Sequence, residues 1–234
     1  MHIMKVQRQS QLNRVVFISV LSLLFIFTCH KNEPSRLPND VRWVTNSNEY
    51  KSLCNQVYNM AWNQLSAQIK SNPTITPAII MDLDETILDN SKYQIMLSEK
   101  KQSYNPQSWD VWVKKIEADL VPGSYEFLQK VRQYNVQLIF ISNRMHARLE
   151  ETKKNMDILG ILDKSDIFLL RKDKADKKEV RRDEVFNLTG RMKGTGPLHV
   201  IAYFGDAMGD FHNKNLKNFG INQFMLPNPM YGKW

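Results

Sequence analysis

Cysteine is almost absent from this chain: its 234 residues include only Cys29 and Cys54. If Cys29 is consumed by another modification, no intramolecular disulfide can form. Cys54 falls within a helical stretch, where a buried, inert thiol is the ordinary reading. Nine glycines and nine prolines exclude a collagen-like or low-complexity chain, and there is no internal repeat. The formal charge of +8 is not gathered into a basic arm or recognition motif, so no nucleic-acid partner is expected. Long apolar runs are missing too. The longest, residues 15–28, falls short of the roughly 20 residues a helix needs to cross a bilayer.

That short run has a specific setting. Lys5, Arg8 and Arg14 precede it with no acidic residue among them, and polar His30, Lys31, Asn32 and Glu33 follow. A basic flank, a short apolar core and a polar exit form an export signal, assigned to residues 1–28. Cys29 stands where a bacterial lipoprotein is cleaved and acylated, although Phe27 and Thr28 are bulkier than the residues usual before such a cysteine. The expectation is an exported lipoprotein anchored to a membrane through Cys29, in the periplasm or at the cell surface. Residues 29–40, with Pro34 and Pro38, read as a tether. Losing three basic residues with the signal leaves a mature charge of about +5, enough to favour anionic substrates.

From residue 41 the pattern is that of one domain. Tyr50, Leu53, Val57, Met60, Ala61, Leu65 and Ile69 keep helical spacing behind a Ser47 N-cap. Residues 78–81, 136–141 and 199–204 are short apolar runs that read as buried parallel strands, with weaker candidates at 167–170 and 223–226. Helical stretches at 125–134 and 146–159 lie between them. Alternating strands and helices predict an α/β, three-layer, Rossmann-like parallel sheet. Residues 88–121 break the alternation and carry Tyr93, Tyr104, Trp109 and Trp112, which suggests a small helical cap.

In such sheets ligands gather beyond the carboxyl ends of the strands. The first strand is followed by Asp82-Leu83-Asp84-Glu85-Thr86 and the second by Ser142-Asn143-Arg144. A basic segment, 172–182, precedes the last main strand, which ends in Gly205-Asp206 with Asp210 nearby. An Asp-x-Asp pair alone is weak, but four motifs in this order at strand ends are not accidental. They resemble the signatures of the haloacid dehalogenase superfamily. Asp82 to Thr86 with Leu88-Asp89-Asn90-Ser91, Trp109, Trp112, Val121-Pro122-Gly123, Asp210-Phe211 and Leu226-Pro227-Asn228-Pro229-Met230-Tyr231-Gly232 narrow the resemblance to class C acid phosphatases and lipoprotein e(P4) 5'-nucleotidases.

The resemblance implies an Mg²⁺-dependent phosphatase acting on phosphate monoesters, favouring nucleoside 5'-monophosphates. It implies Asp82 as nucleophile, Asp84 as acid–base, and Ser142 with Lys178 on the phosphoryl oxygens. Lys178-Glu179-Val180-Arg181 fits the family's spacing, while counting from Lys172 selects Lys177 instead. Asp82, the Asp84 carbonyl and Asp206 are the implied metal ligands, with Asp210 behind them. Asn90, Tyr93, Trp109, Asn143, Arg144 and Tyr231 are the implied substrate contacts. A broad phosphatase or phosphotransferase stays open, as does a non-enzymatic lipoprotein binding a haem-like ligand on this fold.

Overall fold

A computed structural model describes residues 37–71 and 73–232. The expected signal, Cys29 and most of the tether lie outside these residues. Among the described residues seven strands are present: β1 (Thr76–Met81), β2 (Leu88–Asp89), β3 (Asp119–Leu120), β4 (Gln137–Phe140), β5 (Ile167–Phe168), β6 (Leu198–Gly205) and β7 (Gln223–Met225). Five form one all-parallel sheet in the order β5–β4–β1–β6–β7. The chain builds outward from β1 through β4 to β5, then returns to the other side of β1 for β6 and β7. The strand order therefore reverses beside β1, the point at which open α/β sheets collect their ligands.

Side chains of β1 alternate between two apolar layers. Ile79 and Met81 face one, with Tyr58, Phe127, Phe204 and Phe224; Ala78 and Ile80 face the other, with Ile139, Leu169 and Val185. A strand buried on both faces has no polar side to show, which is why the run reads as continuously apolar. Helices α1 (Asn39–Asn46), α2 (Asn48–Lys70), α5 (Ser124–Val131) and α6 (Leu149–Ile158) contribute to the first layer, and α7 (Lys178–Asn187) to the second.

Several boundaries differ from expectation. Helix α1 starts at Asn39, inside the expected tether, because Val41 and Val44 are buried on the domain. Ser47 does cap α2, its hydroxyl accepting from Tyr50 N at 3.0 Å, a contact worth about 1 kcal/mol. The buried face of α2 is nevertheless rotated: Cys54 and Tyr58 point inward, while Leu53 and Met60 are exposed. The Tyr58 hydroxyl donates to the carbonyl of Thr86, a polar anchor that apolar spacing alone cannot register. The thiol of Cys54 is wholly buried, and burial pushes it up to about 12, so it is inert.

Residues 88–121 fold as helices α3 (Ser91–Glu99) and α4 (Pro106–Lys115), closed at their base by antiparallel pairing of β2 with β3. This is a small helical cap. Among the described residues, no helix is long and apolar enough to cross a membrane.

Candidate active site

Strands β1, β4 and β6 end side by side. Asp82 N donates to Phe204 O at 2.9 Å, and Ile141 N donates to Met81 O at 2.9 Å. Asp82, Ser142 and Asp206 are therefore delivered together, each one residue or two beyond a neighbouring strand. Carboxylate oxygens of Asp82, Asp206 and Asp210 lie within 4.8 Å of one another.

One cation stands among them. Lys178, in the first turn of α7, bonds to Asp210 Oδ1 and lies 2.8 Å from Asp82 Oδ1. The second contact is an ion pair, and among the described residues no further donor reaches the buried Asp82 Oδ1. Lys177, one residue earlier, caps the helix and is exposed. Of the two lysines left open by the sequence, Lys178 is the one in the site.

The charges do not balance: three carboxylates share one ammonium. Burial pushes the Asp82 carboxyl well above the usual range; Lys178 opposes that shift, and Asp210, Asp206 and Asp84 add to it. Burial, with Asp210 beside it, raises Asp206 to about 6. Burial works against charge on Lys178, yet Asp82 and Asp210 hold its pKa above the ordinary lysine value. Buried carboxylates displaced in this way are a feature of functional sites.

The backbone makes room for this crowding. Asp210 packs so closely on Gly205 that any Cβ there would sit 2.3 Å from the Asp210 Cβ. Asp210 Oδ2 in turn accepts from Ala207 N at 3.0 Å, closing the loop after β6. Asn228 Nδ2 donates to Asp206 Oδ2 at 2.7 Å. Asn228 is in the C-terminal motif, but only its position against Asp206 reveals its role.

Asp84 lies in a second cluster. Its Oδ1 accepts from Asn90 Nδ2 and Arg144 Nε, both at 2.9 Å, and its Oδ2 faces Ser142 Oγ at 3.4 Å. Arg144 and Asn90 are buried, as is Tyr93, whose hydroxyl pairs with Ser108 at 2.7 Å. Glu85 adopts a left-handed φ of 54° and turns its buried carboxylate to Asn90 N at 2.9 Å. Burial first, then Asp84 and Asp206, raise the Glu85 carboxyl well above its usual value.

Arg181 entered the sequence reading as the arginine that follows Lys178 at the family's spacing, with no role of its own. Fully buried, it donates to the carbonyls of Ser142 and Leu169 and, at 2.7 Å, to Asn143 Oδ1. Burial pushes its pKa down to about 10. It joins α7 to the β4 turn, and with it Lys178 to Ser142. Helical spacing three apart, inward at Lys178 and Arg181, is the signal that could have found it.

Trp109 packs edge-on against Tyr93 at 5.1 Å and lies 5.9 Å from the Arg144 guanidinium. Tyr104, 60% exposed, is 6.4 Å from the Trp109 ring. Tyr231 is partly exposed, and among the described residues no hydrogen bond or ring contact ties it to this group. The structure thus brings together Asp82, Asp84, Asn90, Ser142, Arg144, Lys178, Asp206 and Asp210, with Trp109 above them and Asn143 at the edge.

Comparison with known proteins agrees with this fold. The class C acid phosphatase from Bacillus anthracis superposes with a TM-score of 0.73 at 32% sequence identity, covering 83% of this chain and 84% of that one. The same enzyme has been solved with tungstate bound. Curated relatives are more distant. The stem 31 kDa glycoprotein of Glycine max is 24% identical over 65% of this chain and 58% of its own length. Acid phosphatase 1 of Solanum lycopersicum is 22% identical over 65% and 57% respectively. The chain thus spans less than three fifths of either curated relative. The sequence model described as HAD superfamily, subfamily IIIB (Acid phosphatase) matches residues 27–234, and the chain belongs to that family.

Proposed function

We propose that this protein hydrolyses phosphate monoesters, nucleoside 5'-monophosphates among them, by transient phosphorylation of Asp82. The observation that carries the proposal is the Asp82 carboxylate itself: buried, with the Lys178 ammonium as its one partner on Oδ1 among the described residues, and beside two further carboxylates. An oxyanion, tungstate, bound to the Bacillus anthracis relative is in keeping with it.

The donor set fits a divalent cation, because hard oxygen ligands with uncompensated negative charge are what Mg²⁺ takes. Asp82, the Asp84 carbonyl and Asp206 would hold it, with Asp210 orienting them from behind. Bound there, Mg²⁺ would neutralise charge on the transferring phosphoryl group. Lys178 and Ser142 supply the remaining positive charge and hydrogen bonding to the phosphoryl oxygens.

An Asp82 oxygen attacks phosphorus, the ester P–O bond breaks, and Asp84 gives its proton to the leaving alkoxide. Asp84, now a carboxylate, takes a proton from water while the water oxygen attacks the same phosphorus. The Asp82–phosphorus bond breaks, phosphate leaves, and both aspartates return to their starting states. A ligand-binding lipoprotein has no use for this complete set, which favours the enzyme.

Trp109 and Tyr231 are proposed to stack a nucleobase, a contact worth about 1–3 kcal/mol per base. The partly open aromatic group of Trp109 and Tyr104 supports that assignment. Export on residues 1–28 and acylation of Cys29 complete the proposal on sequence pattern; Cys29→Ser should release the protein from membranes.

The test is phosphate release from AMP, NMN and p-nitrophenyl phosphate, with Mg²⁺ or with EDTA. Metal-dependent release is expected, with kcat/KM for AMP above that for the aryl ester and the difference lost in Trp109→Ala. Equal values in the native protein would leave a broad phosphatase, and no release at all would leave the binding protein.

A further inference from the structure

We propose that Arg144, Asn90 and Trp112 are positioning residues that lock Asp84 so that only its Oδ2 exchanges a proton. This rests on the reading of Asp84 as the acid–base of a phosphatase.

Asp84 Oδ1 accepts two hydrogen bonds, from Arg144 Nε and Asn90 Nδ2, both at 2.9 Å, and the Arg144 guanidinium is also ion-paired to it through Nη2 at 2.8 Å. A carboxylate oxygen has about two lone-pair sites, so nothing remains on Oδ1 for a mobile proton. Among the described residues, Oδ2 meets only Ser142 Oγ, at 3.4 Å. Proton traffic is thereby confined to the oxygen on the Ser142 side.

The supporting residues are themselves held. Arg144 Nη1 donates to Thr152 Oγ1 and Nη2 to Asn90 Oδ1, each at 3.3 Å. Asn90 Oδ1 also accepts from Trp112 Nε1 at 2.8 Å. That bond, together with donation from Asn90 Nδ2 to Leu88 O at 3.2 Å and Glu85 Oε2 at 3.4 Å, fixes which end of the Asn90 amide is oxygen, and hence which end reaches Asp84. Trp112 belongs to α4, so the cap takes part in holding the acid. Asn90 and Arg144 are 0% and 2% exposed. Their polar atoms are spent inside the protein, where the sequence had suggested substrate contacts.

Trp112→Phe keeps the buried ring and removes one of the two donors that hold the Asn90 amide oxygen, loosening the amide against Asp84. Arg144→Gln removes the guanidinium charge and one of the two hydrogen bonds from Oδ1. Both are compared with the native full-length chain, loaded with Mg²⁺, on AMP and p-nitrophenyl phosphate. Nitrophenolate departs without a proton, whereas hydrolysis of phospho-Asp82 still needs Asp84 as base. A misaligned Asp84 therefore lets the first step run and delays the second.

The expected result is a kcat lower by about 10-fold for Trp112→Phe and about 100-fold for Arg144→Gln, with little change in KM. Rapid mixing should show a burst of about one nitrophenolate per site, and AMP should suffer more than the aryl ester. A structural or substrate-binding role would produce no burst. A rise in KM with kcat unchanged, in variants of native circular dichroism, overturns the proposal. Trp112→Phe keeps it testable if Arg144→Gln fails to fold. If the native chain releases no phosphate, the phosphatase reading and this inference fall together; if it does and only KM moves, the inference falls alone.

Discussion

Helix α7 carries two acidic clusters built to opposite ends. Toward its start, Lys178 serves Asp82 and Asp210, with Asp206 close by. On its other flank, Arg191 serves Asp176 and Glu184. Arg191 reaches both Asp176 oxygens at 3.0 Å and both Glu184 oxygens at 2.7 and 2.8 Å. Lys172 N and Arg191 N complete the donors at 2.9 Å. Both clusters use a glycine to let a carboxylate in: Gly205 against Asp210, and Gly190, at a φ of 52°, against Glu184. The outcomes differ. Arg191 holds Glu184 below the usual carboxylate range; burial alone would raise Asp176, but Arg191 and the Lys172 amide outweigh it. Asp82 and Asp206 are displaced upward instead. Burial is common to both clusters, so it is the balance of donors to carboxylates that separates an ion-pair brace from a site awaiting charge.

The largest expected effect separates the two in one experiment. Asp82→Asn should lower kcat by about 10⁴-fold or more, as loss of a nucleophile does, yet raise Tm in metal-free protein by removing one of three crowded charges. Asp176→Asn should do the reverse, lowering Tm while leaving turnover nearly intact. Each kcal/mol corresponds to about 2–4 °C in a protein of this size. Both variants losing stability alike would break the comparison.

Arg191→Met should destabilise by about 3 kcal/mol, the lower end for removing one partner of a buried ion pair, since its side chain is 16% exposed. Denaturant melts read this directly. A much smaller loss would mean that solvent already screens the brace.

pH sharpens the contrast, because the two clusters have opposite signs. Asp206 has a folded value of about 6, above its ordinary 3.8, so between those values the folded state binds more protons than the unfolded. Metal-free stability should therefore fall as pH rises toward and through 6. Asp176 and Glu184 have lowered folded values, so their contribution is present above the ordinary carboxylate range and is lost as pH falls below it. Metal-free Tm should peak in mild acid. Mg²⁺ should shift the peak upward in pH by removing the cost at Asp206. A metal-free Tm that climbs steadily from pH 5 to 7 would contradict the assignment.

The sequence made some of this legible and hid the rest for physical reasons. Strands β1, β4 and β6 were plain because burial on both faces leaves a continuous apolar run, and Asp82, Ser142 and Asp206 followed from where those runs stop. Helix α7 was hidden because its inward residues are Lys178, Arg181 and Arg182, so its buried face is charged. The rotation of α2 toward Cys54 and Tyr58 was hidden because the Tyr58 hydroxyl is satisfied by a carbonyl 28 residues away. Asn90 and Arg144, read from the sequence as substrate contacts, stand beside Asp84, and which atoms they spend on it is a matter of distance. Asn228 needed the fold to bring it to Asp206.

The smallest expected effect lies on the segment joining the two clusters. Arg171 N donates to Arg144 O at 2.9 Å, and the chain then runs through Lys172, Lys174 and Lys177 to Lys178. Both ends of this segment are thus fixed at the site. Its three intervening lysines are exposed, and among the described residues none has an ion-pair partner, while Asp173 is turned onto the amides of Ala175 and Asp176. Exposed cations at a site's rim raise the local concentration of an anionic substrate and do little once it is bound. Neutralising Lys172, Lys174 and Lys177 together to Gln should lower kcat/KM by about two- to fivefold at low salt, with kcat unchanged. The effect should vanish near 0.5 M salt, where the screening length falls to roughly 4 Å. A loss that persists at high salt would mean that one of these lysines touches the bound substrate, and would extend the acidic site along the loop toward the brace.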